Sequence, residues 1–214
     1  TSYQGELSAL CMKKTSSLEE KETTGNEILV YNSEEALSDM LYQKNLDTSP
    51  CGLLIKKDIV LSNPFPVGKL HEDDFTTYKY YLSAHKTIVS QDVCYFYYQR
   101  AGSIMHVFGQ ANMDELDAAD NLVTFCEKHY PQLIAAAKSK KFSDYCQVLL
   151  SNKDIKTTYP EAYARICDYL DNVKFEIVRD KKCRAKNRIA ALLCIINKNL
   201  LLAAKKFAEA GTAP

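Results

Sequence analysis

Three consecutive carboxylates, Glu72, Asp73 and Asp74, are the residues of this chain best suited to chemistry. They follow a loop with two prolines and a glycine at 62–68, which excludes regular structure there. Repulsion between adjacent carboxylates raises the pKa of at least one of them, toward the range in which a carboxylate can accept a proton as a general base. Acidic residues are equally at home in the first turn of a helix, where the macrodipole stabilises them. The residues alone leave both interpretations open.

A second polar group follows the aromatic run 95–98. Arg100, Gly102 and Ser103 place a cation and a hydroxyl in a turn that permits close approach, which suits a phosphate group. An ordinary turn with a surface arginine is the alternative. His106 is a candidate metal ligand, and its alternative is a structural histidine, because no second ligand stands at a suitable spacing.

The elements that would position these residues lie in the first 110 residues, where strand and helix signals mix. Aromatic and β-branched residues predict strands at 27–31, 87–89 and 93–98, with another apolar segment at 53–55. Capping residues and helical spacing predict helices at 34–44 and 75–84. The acidic residues therefore lie between the Pro/Gly loop and the second of these helices.

The rest of the chain is helical in pattern. Helices are predicted near 114–129, 131–151, 159–171 and 184–209. The change in pattern near Asn112 predicts two domains, residues 1–110 and 111–214. The expected fold is an α/β domain followed by an all-helical C-terminal bundle.

Composition restricts the partners and the compartment. The 27 basic and 27 acidic residues give no net charge, so nucleic acid is not an expected partner. The eight cysteines are never closer than eleven residues, which excludes a zinc knuckle and favours reduced, buried thiols. The chain begins with neither a basic nor an apolar leader, and no apolar run is long enough to span a membrane. We expect an intracellular protein that is soluble or at most peripheral at a membrane.

Basic residues are concentrated near the C-terminus, with ten against two acidic residues between Val173 and Phe207. Together with the apolar residues of the last predicted helix, they would suit a basic amphipathic helix that lies on anionic lipid. The alternative is a bundle helix with a solvated basic side.

Three segments in order, residues 63–79, 84–89 and 95–105, resemble the second half of bacterial family-2 glycosyltransferases. Those enzymes carry an FP-x-G-K-x-x-ED segment, an aromatic YxYxxR strand and an R-x-GSI ending in this order. The resemblance extends over about residues 27–106. It implies that residues 1–110 are the acceptor-side part, the C-terminal half, of a GT-A type domain.

The activity implied by the resemblance is transfer of a sugar from a nucleotide-diphosphate donor to an acceptor hydroxyl, usually with inversion. Asp73 would be the general base and Glu72 would orient it. The acceptor would be a saccharide or a lipid-linked group in cell-surface polysaccharide synthesis. The donor-binding strands of the family precede the matched region, so we expect a C-terminal portion of a longer enzyme, inactive alone.

The resemblance also implies further substrate-binding and metal-binding residues. Arg100 and Ser103 would lie near the diphosphate, with Gln99 and Asp74 beside the substrates. A divalent metal, Mg or Mn, would neutralise the leaving diphosphate, and His106 would complete its site.

The rival function is a non-catalytic interaction module that binds a partner protein or a membrane surface through the helical bundle.

Overall fold

The computed structural model of the protein describes residues 4–15, 25, 27–98, 109–198 and 200–202. The chain divides into two compact units, Thr1–Val107 and Phe108–Pro214. The first is an α/β unit with a mixed sheet, and the second is mostly helical. The predicted order, an α/β part followed by a helical part, is confirmed.

In the described part of the α/β unit, four strands form one sheet in the order β2-β4-β1-β3. The central pair, β1 and β4, is parallel, whereas β1 with β3 and β2 with β4 are antiparallel. The strands are β1 (Leu7–Thr15), β2 (Ile28–Tyr31), β3 (Leu53–Ile55) and β4 (Thr87–Tyr98).

Strand β4 runs without interruption where the sequence predicted two strands. The polar residues at 90–92 suggested a break, but the pairing with β1 shifts register between Leu10 and Met12 instead. This irregularity lets the longer β4 keep its pairing, as a β-bulge does. Asp92 is held locally, because its carboxylate accepts hydrogen bonds from the Ser90 hydroxyl at 2.6 Å and the Gly25 amide at 2.8 Å.

Three helices accompany the sheet: α1 (Ser33–Tyr42), α2 (Lys57–Ser62) and α3 (Thr77–Ser83). A capping box starts α1, since Asn32 and Glu35 exchange hydrogen bonds of 2.9 Å between side chain and backbone. Helices α1 and α3 pack together. The buried side chains around them include Leu37, Met40, Leu41, Tyr80 and Tyr81.

One face of the sheet carries exposed apolar side chains. In register, Val30 on β2 lies beside Ile88 on β4, then Ser8 on β1, then Leu54 on β3. Val30 and Leu54 are exposed, Leu54 by 76%, and so is Ile28, on the same face of β2 as Val30. A soluble sheet normally covers such a face with other elements of its domain.

The buried carboxylate of Asp39 fixes the end of α1. Its Oδ1 accepts the backbone amides of Asn45 and Leu46, each at 2.9 Å. Its Oδ2 accepts the Asn45 side-chain amide at 3.0 Å and the Tyr31 hydroxyl at 3.2 Å. One side chain therefore ties α1, the following loop and strand β2 together.

We expect Asp39→Asn to destabilise the α/β unit by about 2–3 kcal/mol, because an amide cannot accept all of these donors. The measurement is urea unfolding together with hydrogen exchange at residues 33–46. Glu34→Gln, an exposed change on the same helix, is the control. Equal stability of the two variants would contradict the role given to Asp39.

The helical unit contains α4 (Asp114–His129), α5 (Ile134–Ser151), α6 (Ile155–Thr158), α7 (Pro160–Arg179) and α8 (Ala185–Ile196). Packing links α4 with α5, α5 with α7 and α7 with α8. Helix α7 continues eight residues beyond its predicted end at 171. Helix α8 is much shorter than the predicted 184–209, and residues 203–214 lie outside the described part.

A charged network joins three helices of this unit through Asp120 on α4. Lys141 of α5 lies 2.6 Å from Asp120 Oδ1, and the Tyr145 hydroxyl donates to the same oxygen at 2.7 Å. Arg165 of α7 bridges Asp120 and Asp117. Burial opposes ionisation of Asp120, but the hydrogen bonds from Lys141, Tyr145 and Arg165 outweigh burial and lower its pKa.

A lowered carboxyl pKa contributes stability above the ordinary pKa of the group, and this contribution disappears as pH falls through the lowered value. We therefore expect Asp120→Asn to destabilise the helical unit near pH 7, and the difference from the unchanged protein to shrink as pH falls through the lowered pKa of Asp120. The measurement is unfolding free energy against pH. Asp168→Asn, at an exposed position of α7, is the control and should show no such convergence. A pH-independent loss in Asp120→Asn would refute the electrostatic explanation.

Seven cysteines are free thiols in the structure: Cys11, Cys51, Cys126, Cys146, Cys167, Cys183 and Cys194. Burial raises the pKa of Cys126, Cys183 and Cys194 to about 11, so these side chains act as small hydrophobic groups. Within the described residues, no helix is both long and apolar enough to cross a bilayer.

Candidate functional site

The loop between α2 and α3 carries the acidic residues and is fastened to α3. The Asn63 side-chain amide donates to the Ile59 carbonyl at 3.0 Å and to the Ser83 hydroxyl at 3.3 Å. The Phe65 ring meets the buried Tyr80 ring edge to face, with centroids 5.8 Å apart. These contacts hold the start of the loop against α3, the helix to which the loop leads.

The chain enters α3 through a series of tight turns. Gly68 and His71 both have left-handed backbones, with φ of 79° and 59°. The Asp74 amide donates to the His71 carbonyl at 3.1 Å, and the Thr76 and Thr77 amides donate to the Asp73 carbonyl. A left-handed backbone costs a residue with a Cβ about 1–2 kcal/mol. The turns therefore hold His71 in a conformation that it would not adopt by itself.

The acidic residues do not cap the helix that follows them. Helix α3 begins at Thr77, two residues later than predicted, and its first turn holds no acidic side chain. The N-cap position is Thr76, which makes no side-chain capping bond. Asp73 Oδ1 instead accepts the Asp74 amide at 3.0 Å. The capping interpretation that the sequence left open is thus not supported.

His71, to which the sequence analysis assigned no role, joins Asp73 and Asp74 in one cluster, here called the acidic trio. One ligand atom from each residue lies within 4.8 Å of the other two. His71 Nδ1 is 3.9 Å from Asp74 Oδ2, and both side chains are largely buried. Asp73 is half-buried and Glu72 is exposed. The left-handed backbone at His71 is part of this arrangement, and no sequence pattern reports that angle.

An imidazole nitrogen and two carboxylates are a donor set that Mn²⁺ accepts. In an octahedral shell with bonds of about 2.1 Å, neighbouring donors lie about 3 Å apart. The spacings of up to 4.8 Å in the acidic trio are wider than that. The trio would have to contract to hold such an ion, and it is not a preformed metal cage.

Three hydroxyls at the start of α3 are buried without a hydrogen-bond partner among the described residues. They belong to Thr76, Thr77 and Tyr80. A buried hydroxyl that lacks a partner costs about 1–3 kcal/mol. The polar start of α3 therefore has hydrogen-bonding capacity that the described part of the fold does not use.

The other predicted site residues cannot be placed relative to the acidic trio. Gln99, Arg100, Ser103 and His106 lie outside the described residues. The proposed phosphate and metal contacts of these residues therefore stay predictions.

Two cavities lie elsewhere in the described structure. One of about 490 Å³ in the helical unit is lined by residues that include Asp117, Tyr159 and Arg165. Another of about 230 Å³ in the α/β unit is lined by residues that include Cys11 and Tyr81. The acidic trio lines neither of these two cavities.

No protein-family model and no curated protein matches the chain. Its function has to be argued from the site itself.

We expect Gly68→Ala to loosen the loop that carries the acidic trio. No heavy atom lies within 4 Å of the added Cβ, so the cost of about 1–2 kcal/mol comes from the left-handed backbone alone. The readout is faster hydrogen exchange at residues 66–76. Gly109→Ala also adds a Cβ in open space, but at an extended backbone, and is the control. If residues 66–76 exchange equally fast in Gly68→Ala and in the unchanged protein, the added Cβ does not strain the backbone at position 68 and the prediction is wrong.

Proposed function

We propose that this chain is the acceptor-side, C-terminal part of a GT-A type family-2 glycosyltransferase. It would act within a longer cytoplasmic enzyme of cell-surface polysaccharide synthesis, which transfers a sugar from a nucleotide diphosphate to an acceptor hydroxyl. The observation that carries the proposal is the position of Asp73. Its carboxylate is half-buried in a turn beside a Pro/Gly loop and does not serve as a helix cap.

The reaction needs a base on the acceptor side. Asp73 would accept the proton of the acceptor hydroxyl while that oxygen attacks the anomeric carbon. A new carbon–oxygen bond forms as the bond from the sugar to the diphosphate breaks, and the bonding electrons leave with the diphosphate. The Asp74 amide, which donates to Asp73 Oδ1, would keep the carboxylate oriented, and the exposed Glu72 would assist it.

The open face of the sheet supports the proposal that this is part of a larger domain. The exposed apolar row that includes Val30 and Leu54 has the character of an internal face of an α/β domain. A donor-binding half packed on this sheet would cover that row.

The divalent metal implied by the resemblance would neutralise charge on the leaving diphosphate. The acidic trio has suitable donor atoms but too wide a spacing, so we assign its Asp73 to proton transfer. Arg100 and Ser103 remain proposed for the diphosphate, Gln99 for the substrates and His106 for the metal. Saccharide and lipid-linked hydroxyls are the proposed acceptors.

In the full-length enzyme we expect Asp73→Asn to lower kcat by about 10²–10⁴-fold, because an amide does not accept the proton. Donor affinity should change little. The measurement is release of nucleoside diphosphate under saturating donor, with donor Kd measured separately. Asp58→Asn, an exposed acidic position on α2, is the matched control.

Two outcomes would refute the base role. One is turnover in Asp73→Asn close to that of Asp58→Asn. The other is a loss of Mn²⁺ affinity in Asp73→Asn that accounts for the whole loss of activity, which would make Asp73 a metal ligand.

A further inference from the structure

The imidazole of His71 is the group of the acidic trio that can carry a positive charge. Its Nδ1 lies 3.9 Å from Asp74 Oδ2, and the two side chains are only 8% and 13% exposed. A carboxylate oxygen of Asp73 lies within 4.8 Å of ligand atoms of both. At about 4–6 Å, a cation stabilises the ionised form of a carboxyl and a second carboxylate destabilises it. The protonation of Asp73 therefore depends on both neighbours.

Backbone hydrogen bonds fix the spacing of the trio. The Asp74 amide donates to the His71 carbonyl at 3.1 Å and to Asp73 Oδ1 at 3.0 Å. The Asp73 carbonyl accepts the amides of Thr76 and Thr77 at 3.0 Å and 2.9 Å. These bonds do not involve the imidazole. A new side chain at position 71 therefore changes the charge beside Asp73 while these bonds can persist.

The other charged residues of the same segment are arranged differently. Glu72 is exposed, so water weakens the field of its charge at Asp73. The ammonium groups of Lys69 and Lys79 lie over aromatic rings, at 5.8 Å and 5.5 Å from the ring centroids. Neither of these lysines belongs to the trio.

The elements packed on α3 bring no closer charge to the trio in the described structure. Helices α1 and α2 both pack on α3. The charged residues of α2 and of the first turn of α1 are exposed: Lys57, Asp58, Glu34 and Glu35. The carboxylate of Asp39 on α1 accepts the Asn45 and Leu46 amides instead. Within the described residues, His71 is thus the cation-forming group clustered with both carboxylates.

This charge has a chemical consequence for a base. A carboxylate must be ionised before it can accept a proton. With only the Asp74 carboxylate beside it, Asp73 would hold its proton up to a higher pH. An imidazole is positively charged in the acidic range where carboxyl groups titrate. A cation at position 71 opposes the effect of Asp74 in that range.

We propose that His71 is a positioning residue for Asp73: its imidazolium offsets the negative charge of Asp74, so that Asp73 stays ionised. Asp73 keeps the role of proton acceptor, and His71 acts only through it. The catalytic side of this inference rests on the proposed function, whereas the electrostatic side concerns only the three side chains of the trio.

The test is a series of variants that change the charge at position 71 stepwise. Histidine, asparagine and aspartate all tolerate a left-handed backbone, so His71→Asn and His71→Asp should keep the turn. Carbon-13 NMR of the Asp73 carboxyl group follows its protonation during a pH titration of the 214-residue chain. We expect the proton affinity of Asp73 to rise about tenfold in His71→Asn and further in His71→Asp. A structural role alone would not give this order.

A double variant and a matched control sharpen the test. His71→Asn combined with Asp74→Asn should return the proton affinity of Asp73 to within about threefold of the unchanged chain, because neither charge remains. His85→Asn makes the same substitution at an exposed histidine after α3 and should change nothing. Amide spectra of residues 66–76 should stay alike in all variants, which shows that the turn persists.

The full-length enzyme supplies a second readout. His71→Asn should move the acid limb of the kcat profile upward by about one pH unit, and adding Asp74→Asn should move it back. If the unchanged full-length enzyme transfers no sugar, the proposed function fails, and the NMR titration still decides the charge balance in the trio.

Three results would overturn the inference. The first is an equal proton affinity of Asp73 in the unchanged chain, His71→Asn and His71→Asp. The second is a rise in His71→Asn that Asp74→Asn does not reverse. The third is a rise in Lys69→Gln but not in His71→Asn, which would make Lys69 the balancing cation.

Discussion

The left-handed backbone at His71 is the constraint on which the candidate site depends. It reverses the chain after the Pro/Gly loop, so that an imidazole and two carboxylates converge before α3 begins. Backbone bonds from Asp74, Thr76 and Thr77 hold this turn, and the Phe65 contact holds the loop that leads to it. The acidic residues are displaced from the helix terminus as a result, so their charge is not used for capping.

Charge serves different purposes in the two parts of the helical unit. Inside it, Lys140 lies 2.7 Å from the Asp144 carboxylate, and Arg165 joins α7 to α4. The buried Lys140–Asp144 pair lies within α5, where it gives little net stability but is costly to break singly. The more exposed Arg165 pairs link two helices. At the end of the unit, Lys181 and Lys182 are exposed and follow Asp180, whose carboxylate accepts the Lys182 backbone amide at 2.9 Å.

Local signals in the sequence predicted most elements, because capping and periodicity act over a few residues. The helix predicted at 34–44 is α1, where the Asn32–Glu35 capping box is visible in the sequence. Strand β1 was missed, since its place in the sheet comes from pairing with a strand far along the chain. The acidic residues were found from their types, but His71 was not, because its contribution depends on a backbone angle. The polar residues 90–92 suggested a strand end, whereas a register shift keeps β4 intact.

Because β1 pairs in parallel with β4, the centre of the sheet can form only after the ribosome has synthesised β4. About 70 residues separate the end of β1 from the beginning of β4. At translation speeds of about 5–20 residues per second, β1 emerges roughly 4–14 seconds before its central neighbour exists. During that interval β1 can pair only with the short strand β3, so its apolar side chains, Leu7 and Ala9 among them, stay open to chaperones or to other nascent chains.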